Sequence, residues 1–109
     1  MKPKHYYCEV YRHNYYLYIG WTPVNFAGYI KKFYGFSPTM DGVEGKVLTT
    51  AGPIVHVYTK KGAKLSIVAH ECVHAAAMTL DKVGIDIRND DGEALAYLTE
   101  SIFRKATGK

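Results

Sequence analysis

The sequence has only two cysteines, Cys8 and Cys72, which are too few to build a framework of disulfide bonds. It has no hydrophobic run long enough to span a membrane, and the residues after Met1 turn to tyrosine and glutamate instead of forming an apolar leader. These absences predict free thiols, no signal peptide and no membrane partner. We therefore expect the protein in a reducing compartment, the cytoplasm.

The sequence also lacks any block of like charge. The formal net charge is +4, but the lysines are scattered along the chain. Tyrosines crowd the segment from His5 to Trp21, where they could stack on single-stranded nucleic acid. Because no RNP-like motif accompanies them, we expect these tyrosines to pack a small sheet, and we expect no nucleic-acid partner.

The composition, 48% hydrophobic and 22% charged, is that of a globular protein, and residues 1–109 suffice for a single domain. Aromatic and β-branched residues predict a hairpin within residues 5–21 that turns at Asn14, with His13 at the loop tip. Two further strands are predicted at residues 46–50 and 54–59. A short helix capped by Thr22 should run from Pro23 to near Gly35.

The most informative stretch is His70-Glu71-Cys72-Val73-His74, an H-E-x-x-H pattern in a run without glycine or proline. Such a run predicts a helix, which should end by Gly84. On that helix the two imidazoles project one turn apart and can reach one point in space, while Glu71 lies to one side. The arrangement would let both histidines hold Zn²⁺ and leave the carboxylate free to take a proton from metal-bound water.

The same pattern also fits an ordinary amphipathic helix with two solvated histidines on its polar face. A different arc of the helix carries an apolar stripe that should face the core. Its members are Ala69, Cys72, Val73, Ala76, Leu80 and Val83. The predicted metal face would then border the core.

Glu93 is the predicted third metal ligand. Asp90 is expected to cap a last helix over residues 91–104, and Glu93 could do no more than complete the capping box of that helix. It shares a helical face with Ala96, Tyr97 and Glu100, however, so its carboxylate could face the first helix instead.

The H-E-x-x-H pattern, followed nineteen positions after His74 by Glu93, resembles the gluzincin branch of zinc metallopeptidases. The run from Ala69 to Leu98 also resembles short phage-encoded metallopeptidase-like proteins. If the chain is phage-encoded, the resemblance implies that the protein is located in the host cytoplasm. The resemblance implies that Glu93 comes from a second helix packed on the first, and that the substrate is a peptide or protein. The sequence departs from thermolysin-like enzymes at Tyr97, where those enzymes carry an aspartate that orients a ligand histidine.

In zincin folds the strand shortly before the metal helix commonly runs along the cleft as an edge strand. By that resemblance, the strand at residues 54–59 could pair with an extended peptide substrate. The predicted fold is α+β: a small, tyrosine-rich antiparallel sheet packed with a zincin-like pair of helices that carries the metal site, plus one short N-terminal helix.

The predicted function is that of a zinc-dependent hydrolase, most simply a peptidase that cleaves an amide bond. Zn²⁺ held by His70, His74 and Glu93 would activate water, and Glu71 would act as the general base and then pass the proton to the leaving amine. The developing oxyanion needs a further hydrogen-bond donor. The candidates, in falling order, are Tyr97, His56 and Tyr58, although packing or solvated roles would also account for each of them.

The alternative function is a non-enzymatic protein-binding module in which a structural metal staples two helices. Glu71 argues against it, because a structural site needs no carboxylate at that place. Such a site would also favour a fourth protein ligand over open water.

Overall fold

In a computed structural model that describes residues 1–109, the chain forms four strands and three α-helices. The strands are β1 (Lys4–Cys8), β2 (His13–Trp21), β3 (Gly45–Thr50) and β4 (Ile54–Lys60). The helices are α1 (Pro23–Tyr34), α2 (Leu65–Lys82) and α3 (Glu93–Thr107). One turn of 3₁₀ helix, Asn89–Gly92, leads into α3. The fold is α+β, as the sequence predicts.

The strands form one sheet in the order β1-β2-β4-β3. The pairs β1–β2 and β3–β4 are antiparallel, whereas the central pair β2–β4 is parallel. The predicted antiparallel sheet is therefore wrong, because the sheet is mixed. Hairpin signals report only how neighbouring strands turn, and the two hairpins here are joined through α1, which allows β2 and β4 to run in the same direction.

Strand β4 is internal rather than at the edge. It lies between β2 and β3, and its residues Val55–Thr59 are all buried. The prediction that this strand is free to pair with a peptide is therefore wrong. Strand β3, which lies beside β4, is the edge strand on that side of the sheet.

The sheet is covered on both faces. Helices α2 and α3 pack over one face, where the main core contains Tyr15 and Leu17 of β2 and Val55 and Val57 of β4. Helix α1 covers the other face with a smaller, aromatic core. The buried members of that second core are Tyr18, Trp21, Phe26, Ile30 and Tyr58. The predicted short helix is present, with Thr22 as its N-cap and Pro23 as its first residue.

The first hairpin turns earlier than predicted. Its turn lies between Cys8 and His13, where Arg12 adopts a left-handed conformation with φ of 53°. His13 is the first residue of β2 and is only 4% exposed, and its Nδ1 lies 2.8 Å from the carbonyl oxygen of Tyr11. The prediction that His13 sits at a loop tip is therefore wrong.

Helix α3 begins without the predicted capping box. Asp90 and Asp91 both have φ of 55°, and Gly92, with φ of 79°, is the N-cap. No side chain caps the first turn, and Glu93 is the first helical residue. Asp90, Asp91 and Gly92 are three consecutive residues in the left-handed conformation, so the helix cannot start before Glu93. Asp90 therefore lies too far from the first turn of the helix to act as its N-cap.

Both cysteines are buried free thiols. Burial on the core-facing side of α2 raises the pKa of Cys72 to about 12. None of the helices combines the length and the apolar character that crossing a bilayer requires.

His56 is fully buried beneath α1, which excludes the solvated role that the sequence left open for it. Its Nδ1 lies 2.8 Å from the hydroxyl of Tyr18, and its Nε2 lies 3.0 Å from Oγ1 of Thr50. A neutral imidazole satisfies both contacts by donating at one nitrogen and accepting at the other. Burial lowers the pKa of His56 to about 4, because the charged form would lose its hydration.

The free energy of unfolding should therefore fall as the pH drops from about 6.5 to about 4. In that window the unfolded chain binds a proton at His56 and the folded chain does not, so acid favours unfolding. The full effect is on the order of 3 kcal/mol. Urea unfolding at a series of pH values measures it, with His56→Asn as the comparison. If the slope in this window is the same in His56→Asn as in the parent chain, another group titrates.

Candidate functional site

Helix α2 places the H-E-x-x-H pattern across two of its faces. The buried residues of α2, which face the sheet and α3, are Val68, Glu71, Cys72, Ala75, Ala76, Thr79 and Leu80. Val73 and Val83, predicted as part of the buried stripe, are 42% and 40% exposed. The helix is thus turned so that Glu71 lies at the border of the core, and the two histidines lie on the outer side.

His70 and His74 meet on this outer side, as their helical spacing predicts. Their Nε2 atoms are 3.0 Å apart, and the ring centroids are separated by 4.6 Å with an interplanar angle of 80°. Both side chains are exposed. The two nitrogens can share one proton as a hydrogen bond, or they can both act as acceptors toward a single cation.

The carboxylate of Glu71 is buried against the start of β3. Glu71 is 7% exposed, and a Cβ atom at Gly45 would lie 2.6 Å from its Cγ and 2.7 Å from its Oε2. Only glycine leaves room for this side chain. Burial raises the pKa of Glu71, and the nearby His70 and His74 partly oppose that rise.

Glu93 does not join the two histidines in this structure. It is exposed at the first position of α3, and no three His, Cys, Asp or Glu side chains form a group that could hold a metal ion. Glu93 was predicted to share a helical face with Ala96, Tyr97 and Glu100. Of these residues, Ala96 and Glu100 line a groove between α3 and α2. Tyr97, on the same face, is 68% exposed.

The groove between α2 and α3 has a volume of about 550 Å³. It is mainly apolar, and Ala69 and Val73 of α2 contribute one wall, beside the histidines. Asp91, Gly92, Leu95, Ala96, Thr99, Glu100 and Phe103 form the rest of it. Oγ1 of Thr99 is buried without a hydrogen-bond partner. The sequence analysis did not find this groove, because it depends on how α3 is rotated against α2.

The other candidate oxyanion donors lie on the face of the sheet that is turned away from α2. His56 and Tyr58 alternate with Val55 and Val57 along β4, so they point to the opposite face of the sheet, under α1. Their assignment as possible donors is therefore wrong. Tyr97 remains a candidate, on the exposed surface of α3.

Gly45 is the site residue that the sequence analysis missed. It follows a loop that contains Gly42, and the predicted strand began one residue later, so nothing in the sequence connects position 45 with position 71. A glycine in a strand does indicate a close approach of another group, and that signal is present here.

In comparisons with known proteins, no protein-family model, no curated protein and no solved structure matches the chain.

Replacing Gly45 should test the packing of Glu71 directly. Gly45→Ala introduces a methyl group into the space of the carboxylate, and we expect a loss of about 1–3 kcal/mol in the free energy of unfolding. In a Glu71→Ala background the three atoms nearest to the new methyl group, Cγ, Cδ and Oε2 of Glu71, are absent. There the same change should be neutral or slightly stabilising, because alanine loses less entropy than glycine on folding.

Urea unfolding of the four proteins in this cycle gives the coupling energy between positions 45 and 71. Equal effects of Gly45→Ala in both backgrounds would show that Glu71 does not occupy the space beside Gly45.

Proposed function

We propose that the protein is a zinc-dependent hydrolase, most simply a peptidase that uses Glu71 as its general base. The observation that carries the proposal is the pair of Nε2 atoms of His70 and His74, 3.0 Å apart, next to a buried carboxylate on the same helix. This combination supplies neutral nitrogen ligands and a separate proton acceptor within one turn of helix.

The two imidazoles fit a zinc ion. Since each Zn–N bond is about 2.0–2.1 Å long, two nitrogens at this separation can reach one ion. When bound, zinc supplies a Lewis acid that polarises a carbonyl group and lowers the pKa of water. His70 and His74 would hold it, and we assign Glu93 as the third ligand, since its exposed side chain at the start of α3 is free to change rotamer.

Glu71 has the environment that a general base needs. Its side chain lies against Gly45, and burial raises its pKa, which makes the carboxylate a stronger proton acceptor. In the proposed reaction Glu71 takes a proton from the attacking water and passes it to the leaving amine. Tyr97 is the proposed donor to the oxyanion.

The open edge of β3 offers a track for an extended peptide. The amide of Lys60 donates to the carbonyl of Glu44 at 2.8 Å, so by alternation the backbone groups of Gly45, Val47 and Thr49 point away from β4. A peptide paired with β3 would therefore pass directly beside the carboxylate of Glu71. This role, which the sequence analysis gave to β4, is here proposed for β3.

A protein-binding module with a structural metal is the second candidate. It is favoured because Glu93 lies apart from the histidines, so that only two of the three proposed metal ligands are close together. In that case α2 and the apolar groove beside it would serve as a docking surface, and Glu71 would have no role in proton transfer.

Purified protein that carries no metal-binding tag should contain about one zinc ion per chain. His70→Ala, His74→Ala and Glu93→Ala should each lower the zinc content, because each removes a proposed ligand, whereas Glu71→Gln should leave it unchanged. Elemental analysis measures the content. Full occupancy in Glu93→Ala would transfer the third position to another carboxylate, for which Asp91 and Asp90 are the neighbours to test.

Glu71→Gln should lower hydrolysis by ~10²–10⁴ while leaving the fold and the zinc content in place. Glutamine keeps the shape of the side chain but cannot accept the proton. A peptide library analysed by mass spectrometry supplies substrates, and the control is Glu9→Gln, which removes an exposed carboxylate from the turn between β1 and β2.

One combined result would contradict the peptidase proposal. Zinc-loaded protein would cleave nothing in the library and would bind a protein partner equally well with glutamate or glutamine at position 71. The binding module would then be the correct function.

A further inference from the structure

The fold gathers at one end of the molecule the lysines that the sequence scatters. Strands β2 and β4 run parallel, so both finish at this end, at Trp21 and Lys60. Strand β1 starts there, and Lys4 reaches the end of α3, with its Nζ 3.3 Å from the carbonyl oxygen of Ala106. The lysines brought to this end are Lys2, Lys4, Lys60, Lys61, Lys64, Lys105 and Lys109.

The opposite end of the molecule carries most of the acid. The turn between β1 and β2 and the end of α2 lie towards this end, both near the β3–β4 turn, and α3 starts after the connection that follows α2. The carboxylates of these segments are Glu9, Asp81, Asp86, Asp90, Asp91 and Glu93. At the basic end the nearest carboxylate by strand register is Glu44, which lies on the outer side of Lys60, away from β1 and α3.

A groove at the basic end combines lysines with aromatic rings. It has a volume of about 750 Å³ and lies between the start of the chain and α1. Lys2 and Lys32 line it together with Trp21, Tyr29 and Phe33, and no carboxylate does. Two further depressions are linked to this groove through shared lining residues and lead past Lys4 and Ala106 to Lys60 and Lys109, and no Asp or Glu side chain lines them.

One aromatic ring of this groove, that of Phe33, is largely exposed to solvent. Phe33 is 56% exposed, and its ring centroid lies 4.4 Å from that of Tyr29, which in turn contacts Trp21 edge-on. The Nζ of Lys32 lies 5.4 Å from the centroid of Phe33. An exposed aromatic ring with an ammonium group over it suits a base attached to a phosphate, since the lysine can turn to the phosphate while the base stacks on the ring.

We propose that this end of the molecule binds single-stranded nucleic acid. The lysines contact the phosphates along the connected depressions, and Phe33 stacks on a base. The concave shape favours a strand over a membrane, because a flat bilayer surface cannot enter the groove between α1 and the start of the chain. None of these residues belongs to the proposed metal site, so this proposal stands or fails separately from the hydrolase.

Fluorescence anisotropy with a labelled oligothymidylate of about 15 nucleotides tests the proposal, in EDTA so that hydrolysis plays no part. Binding should weaken as salt rises from about 50 to 200 mM, with a log–log slope near −0.7 for each phosphate contacted. Lys2→Gln and Lys32→Gln should each weaken binding and reduce the slope by about 0.7. Lys82→Gln, which removes the same charge at the opposite end, should change neither.

Phe33→Ala should weaken binding at least about fivefold at every salt concentration and leave the slope unchanged, because stacking releases no counterions. The matched aromatic control is Tyr7→Ala, since Tyr7 is 45% exposed on β1 towards the other end of the sheet. It should bind as the parent chain does.

Three results would overturn the proposal. The first is no binding of the oligonucleotide even at low salt. The second is equal loss in Lys82→Gln and Lys32→Gln, which would mean that only the net charge matters. The third is binding to vesicles of anionic phospholipid without binding to the oligonucleotide, which would make a membrane surface the partner.

Discussion

The parallel pairing of β2 with β4 determines where the other elements lie. It joins two hairpins that each form locally into one sheet, and it leaves β1 and β3 as the two edges. Because α2 follows β4 directly, the same pairing starts α2 at the end of the sheet where β2 finishes. Two features follow from this parallel pairing: the open edge beside Glu71 and the cluster of lysines at one end of the molecule.

The rotation of α2 about its own axis is the second determinant. The hydroxyl of Thr79 donates to the carbonyl of Ala75 at 2.9 Å, so the hydroxyl of Tyr15, 2.6 Å away, must donate to Thr79. This fully buried bond ties the helix to the centre of the sheet. With Thr79 and Ala75 held inward, Glu71 must lie at the β3 side, and the histidines four residues apart must face outward.

Local features of the fold could be predicted from the sequence, whereas long-range ones could not. The Thr22 cap, the β3–β4 hairpin and the convergence of His70 and His74 depend on neighbours within a few residues, and the patterns there were sufficient. The parallel join depends on contacts between distant segments, which no local pattern records. The edge position expected for β4 came from the resemblance to zincin folds, and the burial of His56 depends on α1, an element distant in sequence.

The candidate site also combines local features, which the sequence predicts, with long-range features, which it does not. Spacing alone brings the two imidazoles together, but the burial of Glu71 requires a glycine on another element, and the position of Glu93 depends on the left-handed turn at Asp90 and Asp91. Aspartate is among the few residues other than glycine that adopt this conformation, yet it is also a common N-cap. The sequence supports either role, and the geometry of the chain reversal decided between them.

The burial of both cysteines has a practical consequence for chemical labelling. Cys72 is fully buried with its pKa raised to about 12, and Cys8 is 6% exposed, so thiol reagents should react slowly with the native protein. A single cysteine introduced on the surface would then be the only thiol that reacts quickly. The native chain can therefore carry one spectroscopic label at a chosen position without prior removal of its own cysteines, and each end of the molecule can be labelled in turn.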